Sequence, residues 1–485
     1  MRDRKLWALF TLALVLRFVN LSSESLWLDE GLSVRLASMS LQDINSIGLQ
    51  TDHNPPLYLY LLHFWINLFG NSEFAVRSLS AVLNVACVPV LWFLGKQMFS
   101  DRAVFIGTLI FALSPFQIYY AQETRAYSLL CFTSLTATLA FAYIHYGRPA
   151  TRHILIFITL VLLLYSHIYG WFTLLLLNIW FFYDRSRLLS ARTWILLQTA
   201  AFIAYLPYAL ILVELVMSAQ QGYWIKQPGL IQLASTPVYF SGSMWAFIIL
   251  GLGFCYGIYS YLNWEVKLWG IKVQIMYLSV WMAIPILVPF LLSQILSPFF
   301  LPRYAIAASP AWCMLMAFGI HYIPKEKNLQ SFALAFMTFC MLSINVDHAN
   351  ATMREPWREA LQDLKTASNQ ETIFVGSAFC IDEMFGYYWP DCNTAVGLER
   401  KTFSEDIRGG LDNVDENESA WFVSSHFEGH EDNALKQLNK RFKTQNFRDY
   451  FYKDLYNRKI RSIRIFKLQP RRLDSSNRQT NPIGQ

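Results

Sequence analysis

Ser25-Leu26-Trp27-Leu28-Asp29-Glu30-Gly31 directly follows the first long apolar segment of the chain. The stretch places two adjacent carboxylates beside apolar residues, at the point where a membrane span would end. Carboxylates at a bilayer boundary are costly to bury and are often retained for chemistry. Acids also favour the first turn of a helix, but the glycine that follows them does not favour a helix. The pattern therefore predicts a functional pair at Asp29 and Glu30.

The composition is that of a membrane protein with many spans. Of the 485 residues, 54% are hydrophobic and 15% are charged, whereas average soluble domains carry about 25% charged residues. The net charge of +6 arises before Asp347, because acids and bases nearly balance after it. An excess of base confined to a membrane part indicates topology and excludes nucleic-acid binding as its explanation.

Eleven apolar runs are long enough to cross a bilayer. The predicted spans are 6–22, 74–95, 103–121, 127–146, 152–167, 168–184, 193–213, 244–262, 273–296, 304–323 and 329–346. The basic amino terminus is followed by an apolar run without a small-residue cleavage site, which is typical of an uncleaved first span. The sequence thus predicts a polytopic α-helical membrane domain over residues 1–346.

The distribution of basic residues predicts the orientation of these spans. With a cytoplasmic amino terminus, the inner loops hold 14 Lys and Arg and the outer loops hold four, as expected for a multi-pass protein of the plasma (inner) membrane. An odd number of spans then places the carboxy-terminal part outside the cytoplasm. The first outer loop, 22–73, contains two predicted interfacial helices, Ser33–Ser38 and Leu57–Leu68.

Three polar residues in apolar surroundings have a simple structural explanation. Arg17 and Arg77 lie near the outer ends of their spans, and we expect them to extend toward lipid headgroups. His167 lies in a tight predicted hairpin, where a packed histidine is expected.

The pattern changes after Val346. Alternating elements predict a small extracytoplasmic α/β domain over 347–470, followed by a disordered tail over 471–485. The predicted elements are the helices Pro356–Lys365 and Asp432–Phe442 and the strands Glu371–Gly376, Ser419–Ser424 and Arg461–Leu468. Cys380 and Cys392 could pair in an oxidising compartment.

The acids and arginines of the outer loops suggest chemistry on a lipid-linked anionic substrate. Activated groups reach the outer face on polyprenyl phosphates, so sugar transfer there needs a base, a cation for the leaving phosphate and a groove for the lipid. Asp29 is the candidate base, and Glu30 could position the acceptor or a metal. Arg125 and Arg303 are candidate phosphate ligands, since guanidinium matches phosphate bidentately, and Tyr304 could add a hydrogen bond.

Each of these assignments has an alternative. Asp52 and His53 could contact the acceptor or a divalent metal, or lie in a solvated loop. Arg125 could form an ion pair with Glu123, and Arg303 could contact lipid headgroups.

Four motifs in this order resemble a known family. They are Leu-Asp-Glu-Gly at 28–31, His-Asn-Pro-Pro-Leu-Tyr at 53–58, Tyr-Ala-Gln-Glu-Thr-Arg-Ala-Tyr at 120–127 and Pro-Arg-Tyr at 302–304. Over about residues 1–346, the chain resembles the bacterial membrane glycosyltransferases of family 39. These are relatives of protein O-mannosyltransferases and of the aminoarabinose transferase that modifies lipid A, and they have the GT-C fold.

The resemblance implies a polyprenyl-phosphate sugar donor and inverting transfer on the outer face. It assigns Asp29 as the catalytic carboxylate with Glu30 as its neighbour. Further matches are the loop residues His53, Pro55, Pro56 and Tyr58 and the donor-phosphate residues Arg125, Arg303 and Tyr304. Aminoarabinose transferases carry a lysine where this chain has Asn54, which argues against lipid A as the acceptor and against transferring a metal ligand from that branch.

Other functions remain open at this point. An oligosaccharide ligase or polymerase would favour basic and histidine residues over an acid pair. A polyprenyl-lipid transporter would favour charges at mid-membrane depth, whereas here the acids gather at one face. A structural scaffold does not explain that one-sidedness. The acceptor is expected to be a lipid, a glycan or a protein.

Overall fold

The computed structural model describes residues 2–52, 54–143, 149–183, 189–219, 225–263, 269–321, 323, 328–368, 371–377, 381–392, 395–398, 419–425, 431–440, 442–454 and 458–470. The chain divides into two compact units. The first comprises Met1–Ser22 and Ser33–Asn350, and the second comprises Ser23–Leu32 and Ala351–Gln485. The short segment that carries Asp29 and Glu30 therefore belongs to the same unit as the carboxy-terminal part.

The secondary-structure elements described in the first unit are all helices. Its helices are α1 (Arg2–Phe18), α2 (Leu28–Ala37, which begins in the second unit), α3 (Leu41–Asp43), a π-helical turn (Ile44–Gly48), α4 (Leu49–Thr51), α5 (Leu57–Phe69), α6 (Glu73–Met98), α7 (Asp101–Leu113), α8 (Pro115–Ala121), α9 (Tyr127–Ala142), α10 (Pro149–Ser166), α11 (Gly170–Tyr183), α12 (Ala191–Ala219), α13 (Leu230–Ser241), α14 (Met244–Asn263), α15 (Trp269–Leu292), a 3₁₀ helix (Pro302–Ala308), α16 (Ser309–His321) and α17 (Leu329–Asn350).

Each of the eleven predicted spans overlaps one or more of these helices. Within the described residues, five helices are long and apolar enough to cross a membrane, and the number rises to seven if two bent pairs each form one span. Four further apolar helices have 10–17 residues. The chain is therefore a multi-pass membrane protein, while the total of eleven spans stays a prediction.

Helix α5 has the two faces that an interfacial position requires. Leu59 and Leu62 are buried against the protein, whereas Phe64 is 54% and Leu68 is 75% exposed. Large apolar side chains that face outward from a packed helix suit a headgroup boundary. The predicted helix is confirmed in type and bounds, and its apolar residues serve both packing and the surface.

Arg17 is fully buried, so the expectation that it extends to lipid headgroups is wrong. Its guanidinium donates to Asn84 Oδ1 at 2.7 Å and to the carbonyl oxygens of Ala112 at 2.9 Å and Phe111 at 3.2 Å. These carbonyls belong to the last turn of α7, where a helix leaves acceptors unpaired and attracts cations. Arg77 is likewise buried, and it donates to the Leu21 carbonyl at 3.2 Å.

Two helix breaks shape this unit. Helices α7 and α8 meet at 52°, because Ser114 accepts from the Gln117 N–H and Pro115 occupies the first position of α8. Helices α13 and α14 meet at 85° around Gly242, whose φ of +82° favours glycine. A Cβ at Gly242 would also lie 2.6 Å from Pro115 Cγ, so the two breaks pack against each other.

The segment around Asp29 forms a helix, contrary to the sequence argument. Asp29 and Glu30 lie in the first turn of α2, and Gly31 lies inside it. The glycine packs closely in the same unit, since a Cβ there would lie 1.8 Å from Met384 Cε and the methionine side chain would have to shift. The acids therefore occupy a position that the helix dipole favours, which leaves a catalytic role open.

The second unit contains a five-stranded sheet with flanking helices. Its further elements are α18 (Trp357–Ser368), β1 (Thr372–Ser377), α19 (Ile381–Tyr388), β2 (Ala395–Leu398), β3 (Ala420–Ser425), α20 (Glu431–Leu438), β4 (Phe442–Lys453) and β5 (Lys459–Pro470). The strand order is β2-β1-β3-β5-β4. Strand β1 is parallel to β2 and β3, and β5 is antiparallel to β3 and β4. Phe374, Phe422 and Phe466 are buried in its core.

The predicted α/β pattern is present, with one residue assigned to the wrong kind of element and other ends shifted by one to three residues. Phe442 begins β4 rather than ending a helix, because its apolar side chain completes the sheet core. Helix α19 and strands β2 and β4 were not predicted. Cys380 and the tail 471–485 lie outside the described residues, so the Cys380–Cys392 disulfide stays a prediction.

We expect Arg17→Met to destabilise the helical unit. The substitution leaves the Phe111 and Ala112 carbonyls without their donor, and each unpaired buried group costs about 1–3 kcal/mol. Thermal unfolding in detergent should show a lowered midpoint. The matched control is Arg192→Met on an exposed arginine of α12, and equal midpoints for the two variants would contradict the role given to Arg17.

Candidate active site

The two acids of α2 have different environments within the second unit. Glu30 is fully buried, and its Oε2 accepts the Trp27 N–H at 3.3 Å. This is the contact that a glutamate at the third helical position makes with the capping residue. Arg354 Nε lies 3.9 Å from the same oxygen. Asp29 is only partly buried, so of the two carboxylates it is the one accessible to a substrate.

In the first unit, the structure brings Arg125 and Asp52 together. Arg125 Nη1 lies 3.2 Å from Asp52 Oδ2, and both side chains are 11% exposed. Ser33 Oγ accepts from the same Nη1 at 3.0 Å, and the Asn54 amide donates to Asp52 Oδ1 at 2.8 Å. Sequence analysis gave an ion pair with Glu123 as the alternative to a phosphate contact for Arg125, and the ion pair in the structure is with Asp52.

Tyr58 and Glu123 support the turn that carries Arg125. Ser80 Oγ donates to the Arg125 carbonyl at 3.3 Å and lies 2.8 Å from the Tyr58 hydroxyl. Because the single Ser80 hydrogen is used on the carbonyl, Tyr58 donates to Ser80. The Glu123 carbonyl accepts the Arg125 N–H at 2.8 Å, and the Glu123 side chain is buried. Both residues therefore hold Arg125 in place.

Arg303 lies among aromatic rings. Its guanidinium carbon is 5.9 Å from the centre of the Tyr127 ring and 5.6 Å from that of Tyr304. The negative face of an aromatic ring stabilises a cation. The 3₁₀ helix that begins at Pro302 carries Arg303 and Tyr304, and the first turn of α9 carries Tyr127. The arginine is thus held between two elements of the first unit.

His167 completes this cluster. Its ring centre is 5.2 Å from that of Tyr304 and 6.2 Å from that of Tyr127, and its ring lies within the electrostatic field of Asp52, Arg125 and Arg303. The Tyr169 N–H donates to Nδ1 at 3.1 Å, so the ring hydrogen belongs on Nε2. His167 Nε2 and the Tyr127 hydroxyl are both buried, and neither has a hydrogen-bond partner among the described residues.

Sequence reasoning did not single out Tyr127, whereas His167 is the packed, buried histidine that the sequence predicts. Tyr127 ends the motif at 120–127, but tyrosines are common at the ends of membrane spans, so its position alone does not indicate a function. The signal for His167 was its place in a very tight hairpin between α10 and α11. A short turn directs its side chain back into the protein, where a buried ring nitrogen needs a partner.

The described residues contain no group of three or more His, Cys, Asp or Glu side chains that could hold a metal ion. His53, the predicted neighbour of Asp52 in such a site, lies outside the described residues.

We expect Tyr127→Phe to leave thermal stability unchanged or to raise it. The hydroxyl it removes is buried without a partner in the described residues, and such a group costs about 1–3 kcal/mol. Tyr58→Phe is the matched control, because it removes a hydroxyl that is hydrogen-bonded and should lower stability by about 1 kcal/mol. Unfolding midpoints in detergent measure both. An equal loss in the two variants would mean that the Tyr127 hydroxyl is paired.

The chain is similar in sequence and structure to known proteins. Residues 53–216 match the family described as dolichyl-phosphate-mannose-protein mannosyltransferase. No curated protein shows significant similarity.

Among solved structures, ArnT from Cupriavidus metallidurans bound to undecaprenyl phosphate has a TM-score of 0.59 at 12% identity, covering 95% of this chain and 97% of that one. The apo state of ArnT has a TM-score of 0.60 with the same identity and coverage.

The archaeal oligosaccharyltransferase AglB from Archaeoglobus fulgidus, in complex with an inhibitory peptide and a dolichol-phosphate, has a TM-score of 0.54 at 12% identity. The similarity covers 95% of this chain and 74% of AglB. Identities this low establish a shared fold, and together with the family match they confirm the resemblance indicated by the sequence motifs.

Proposed function

We propose that this chain, a membrane protein with the GT-C glycosyltransferase fold that resembles the O-mannosyltransferases and aminoarabinose transferases, transfers a sugar from a polyprenyl-phosphate donor. The acceptor is a hydroxyl of a lipid, a glycan or a protein at the outer face of the plasma membrane. The solved structures with this fold include proteins bound to undecaprenyl phosphate and to a dolichol-phosphate. That shared ligand class supports a polyprenyl-phosphate carrier.

In the proposed reaction, Asp29 is the general base. Its carboxylate takes the proton of the acceptor hydroxyl as the oxygen attacks the anomeric carbon of the sugar. The bond between that carbon and the phosphate oxygen breaks, and its electron pair leaves with the carrier phosphate. Attack opposite the leaving group inverts the anomeric configuration. Glu30, which is buried and bound to Trp27, supports Asp29 rather than the acceptor.

The leaving phosphate is assigned to the aromatic cluster of the first unit. Arg303 supplies the positive charge, and guanidinium matches phosphate geometry. The Tyr127 hydroxyl and His167 Nε2–H are buried donors beside it, as groups that stabilise developing negative charge must be. Tyr304 lines the same cluster. Arg125 is a weaker candidate, because Asp52 already neutralises much of its charge.

The observation that carries this proposal is the pair of buried donors next to Arg303. A membrane protein loses stability by burying a polar hydrogen without an acceptor. An anion that binds there would accept both hydrogens and pair with the guanidinium. A carrier phosphate is the anion that a GT-C fold would bring to this place.

The orientation belongs to the same proposal. The predicted inner loops hold most of the basic residues, so the amino terminus is cytoplasmic and the carboxy-terminal domain is extracytoplasmic. On that side sugars are supplied on lipid carriers.

The test of the function is incubation of the purified protein with a panel of undecaprenyl-phosphate-linked sugars, measuring release of undecaprenyl phosphate. No release with any sugar or acceptor fraction would overturn the proposal.

We expect Asp29→Asn to remove nearly all transfer, leaving only a small residual rate, while folding and abundance stay normal. An amide cannot take the acceptor proton, and loss of a general base lowers turnover about 10²–10⁴-fold. Release of undecaprenyl phosphate and the yield of folded protein are the measurements. Asp391→Asn, on an exposed acid of the carboxy-terminal domain, is the control. Near-normal turnover of Asp29→Asn would remove Asp29 as the base.

Arg303→Ala should weaken donor binding more than acceptor binding. A hydrogen bond to a charged group contributes about 1.5–3 kcal/mol, so the affinity for undecaprenyl phosphate should fall about 10–100-fold. Direct binding to the detergent-solubilised protein measures this, with Arg192→Ala as the control. Equal loss of donor and acceptor affinity would argue against a phosphate contact.

A further inference from the structure

The segment that carries Asp29 is joined to the carboxy-terminal domain by charged and polar contacts within the second unit. Arg354 is central to them. It is 5% exposed, and its Nη1 donates to Glu24 Oε2 at 3.0 Å, while its Nε lies 3.9 Å from Glu30 Oε2. One guanidinium therefore contacts the two carboxylates that flank the start of α2.

Glu24 reinforces this junction with its second oxygen. Glu24 Oε1 accepts the backbone N–H of Arg354 at 3.3 Å and that of Met353. The carboxylate thus binds the backbone and the side chain of the same arginine. Because the carboxylate makes more than one contact with Arg354, the contacts fix the orientation of the arginine as well as its distance from Glu24.

Further hydrogen bonds connect neighbouring residues of the segment to the domain. They run from Ser25 Oγ to the Glu355 carbonyl (2.7 Å), from the Leu26 N–H to the Tyr388 hydroxyl (2.6 Å) and from Arg358 Nη2 to the Ser23 carbonyl (2.8 Å). The close approach of Gly31 to Met384 adds packing on the same side. Both ends of the first turn of α2 are therefore held by the carboxy-terminal domain.

Burial makes the arginine decisive among these contacts. Glu30 is fully buried, and a buried carboxylate needs a compensating cation. Glu30 also binds the N–H of Trp27, which caps α2. A shift of Glu30 would therefore rotate the first turn of the helix and displace the adjacent Asp29.

We propose that the carboxy-terminal domain is part of the catalytic apparatus, and that Arg354 is the positioning residue that holds the Asp29 carboxylate in its working place. The proposal rests on the function assigned to Asp29 above. Arg354 makes and breaks no bond in the reaction. It acts through Glu24 and Glu30, so its loss should change the rate of the chemical step rather than the binding of the lipid donor.

The test uses Arg354→Met in the full-length protein. Amide hydrogen exchange of residues 26–31 should increase, because the first turn of α2 loses its cation. With an undecaprenyl-phosphate-linked sugar, kcat should fall about 10–100-fold, since a small misplacement of a catalytic group has effects of this size. The KM for that donor and the stoichiometry of undecaprenyl phosphate binding should not change.

Two variants serve as controls. Arg458→Met removes an exposed arginine of the same domain, paired with Asp454 between β4 and β5, and should change neither exchange nor kcat. Arg354→Lys keeps the charge but loses the planar fork, so it should recover part of the rate. If the Arg354→Met protein does not accumulate, the same measurements are made on Arg354→Lys instead.

A double variant shows whether the effect passes through Asp29. In the Asp29→Asn background, Arg354→Met should lower the residual rate by little, because residues that act as a unit are not additive. A full further decrease, an unchanged exchange rate or an unchanged kcat would each overturn the proposal. Failure of the proposed function is distinguishable, since it would appear as no transfer by the unmodified protein, whereas hydrogen exchange reports on Arg354 independently.

Discussion

A positive charge placed within apolar helices must find acceptors inside the protein, and Arg17 shows how this chain provides them. Its guanidinium binds the carbonyls of Phe111 and Ala112, which are available because α7 ends at Leu113. The break is set by Ser114 and Pro115. A continuous helix would have used those carbonyls itself, so the buried charge and the bend in the helix stabilise each other. Asn84 extends the contact to α6.

The same constraint distinguishes the two arginines of the candidate site. Arg125 is compensated by the Asp52 carboxylate, whereas Arg303 lies against the Tyr127 and Tyr304 rings. The two arginines therefore differ in the contacts that stabilise them, since an aromatic face stabilises a cation less than a carboxylate does. His167 and Tyr127 place further donors nearby. A site of this kind is less stable without its ligand than with it, as is usual for binding sites.

The helices were well predicted from the sequence because the length of an apolar run can be counted directly in the chain. Each predicted span overlaps a helix, and α5 was placed almost to the residue. The positions of charges within helices were harder to predict. Arg17 was expected at the headgroups because its acceptors lie about 70–95 positions further along the chain. Phe442 was assigned to the preceding helix because one apolar residue at the end of a segment does not show whether the apolar residues repeat as in a helix or as in a strand. The burial of Arg17 and the position of Phe442 in a strand both depend on partners that are distant in the sequence, and the local pattern does not show these partners.

The adjacent acids of α2 illustrate what such a motif can mean. Consecutive helical residues point about 100° apart, so Asp29 and Glu30 cannot share one environment. Glu30 is buried, where it caps the helix and meets Arg354, and Asp29 is left partly exposed. In the proposed reaction, the pair therefore supplies one reactive carboxylate, Asp29, and one buried carboxylate, Glu30, that fixes its position. The glycine after them supports this division, because without a side chain at Gly31 the helix can approach Met384 and Glu383 closely. The three residues that suggested a functional motif are therefore also the residues that begin the helix.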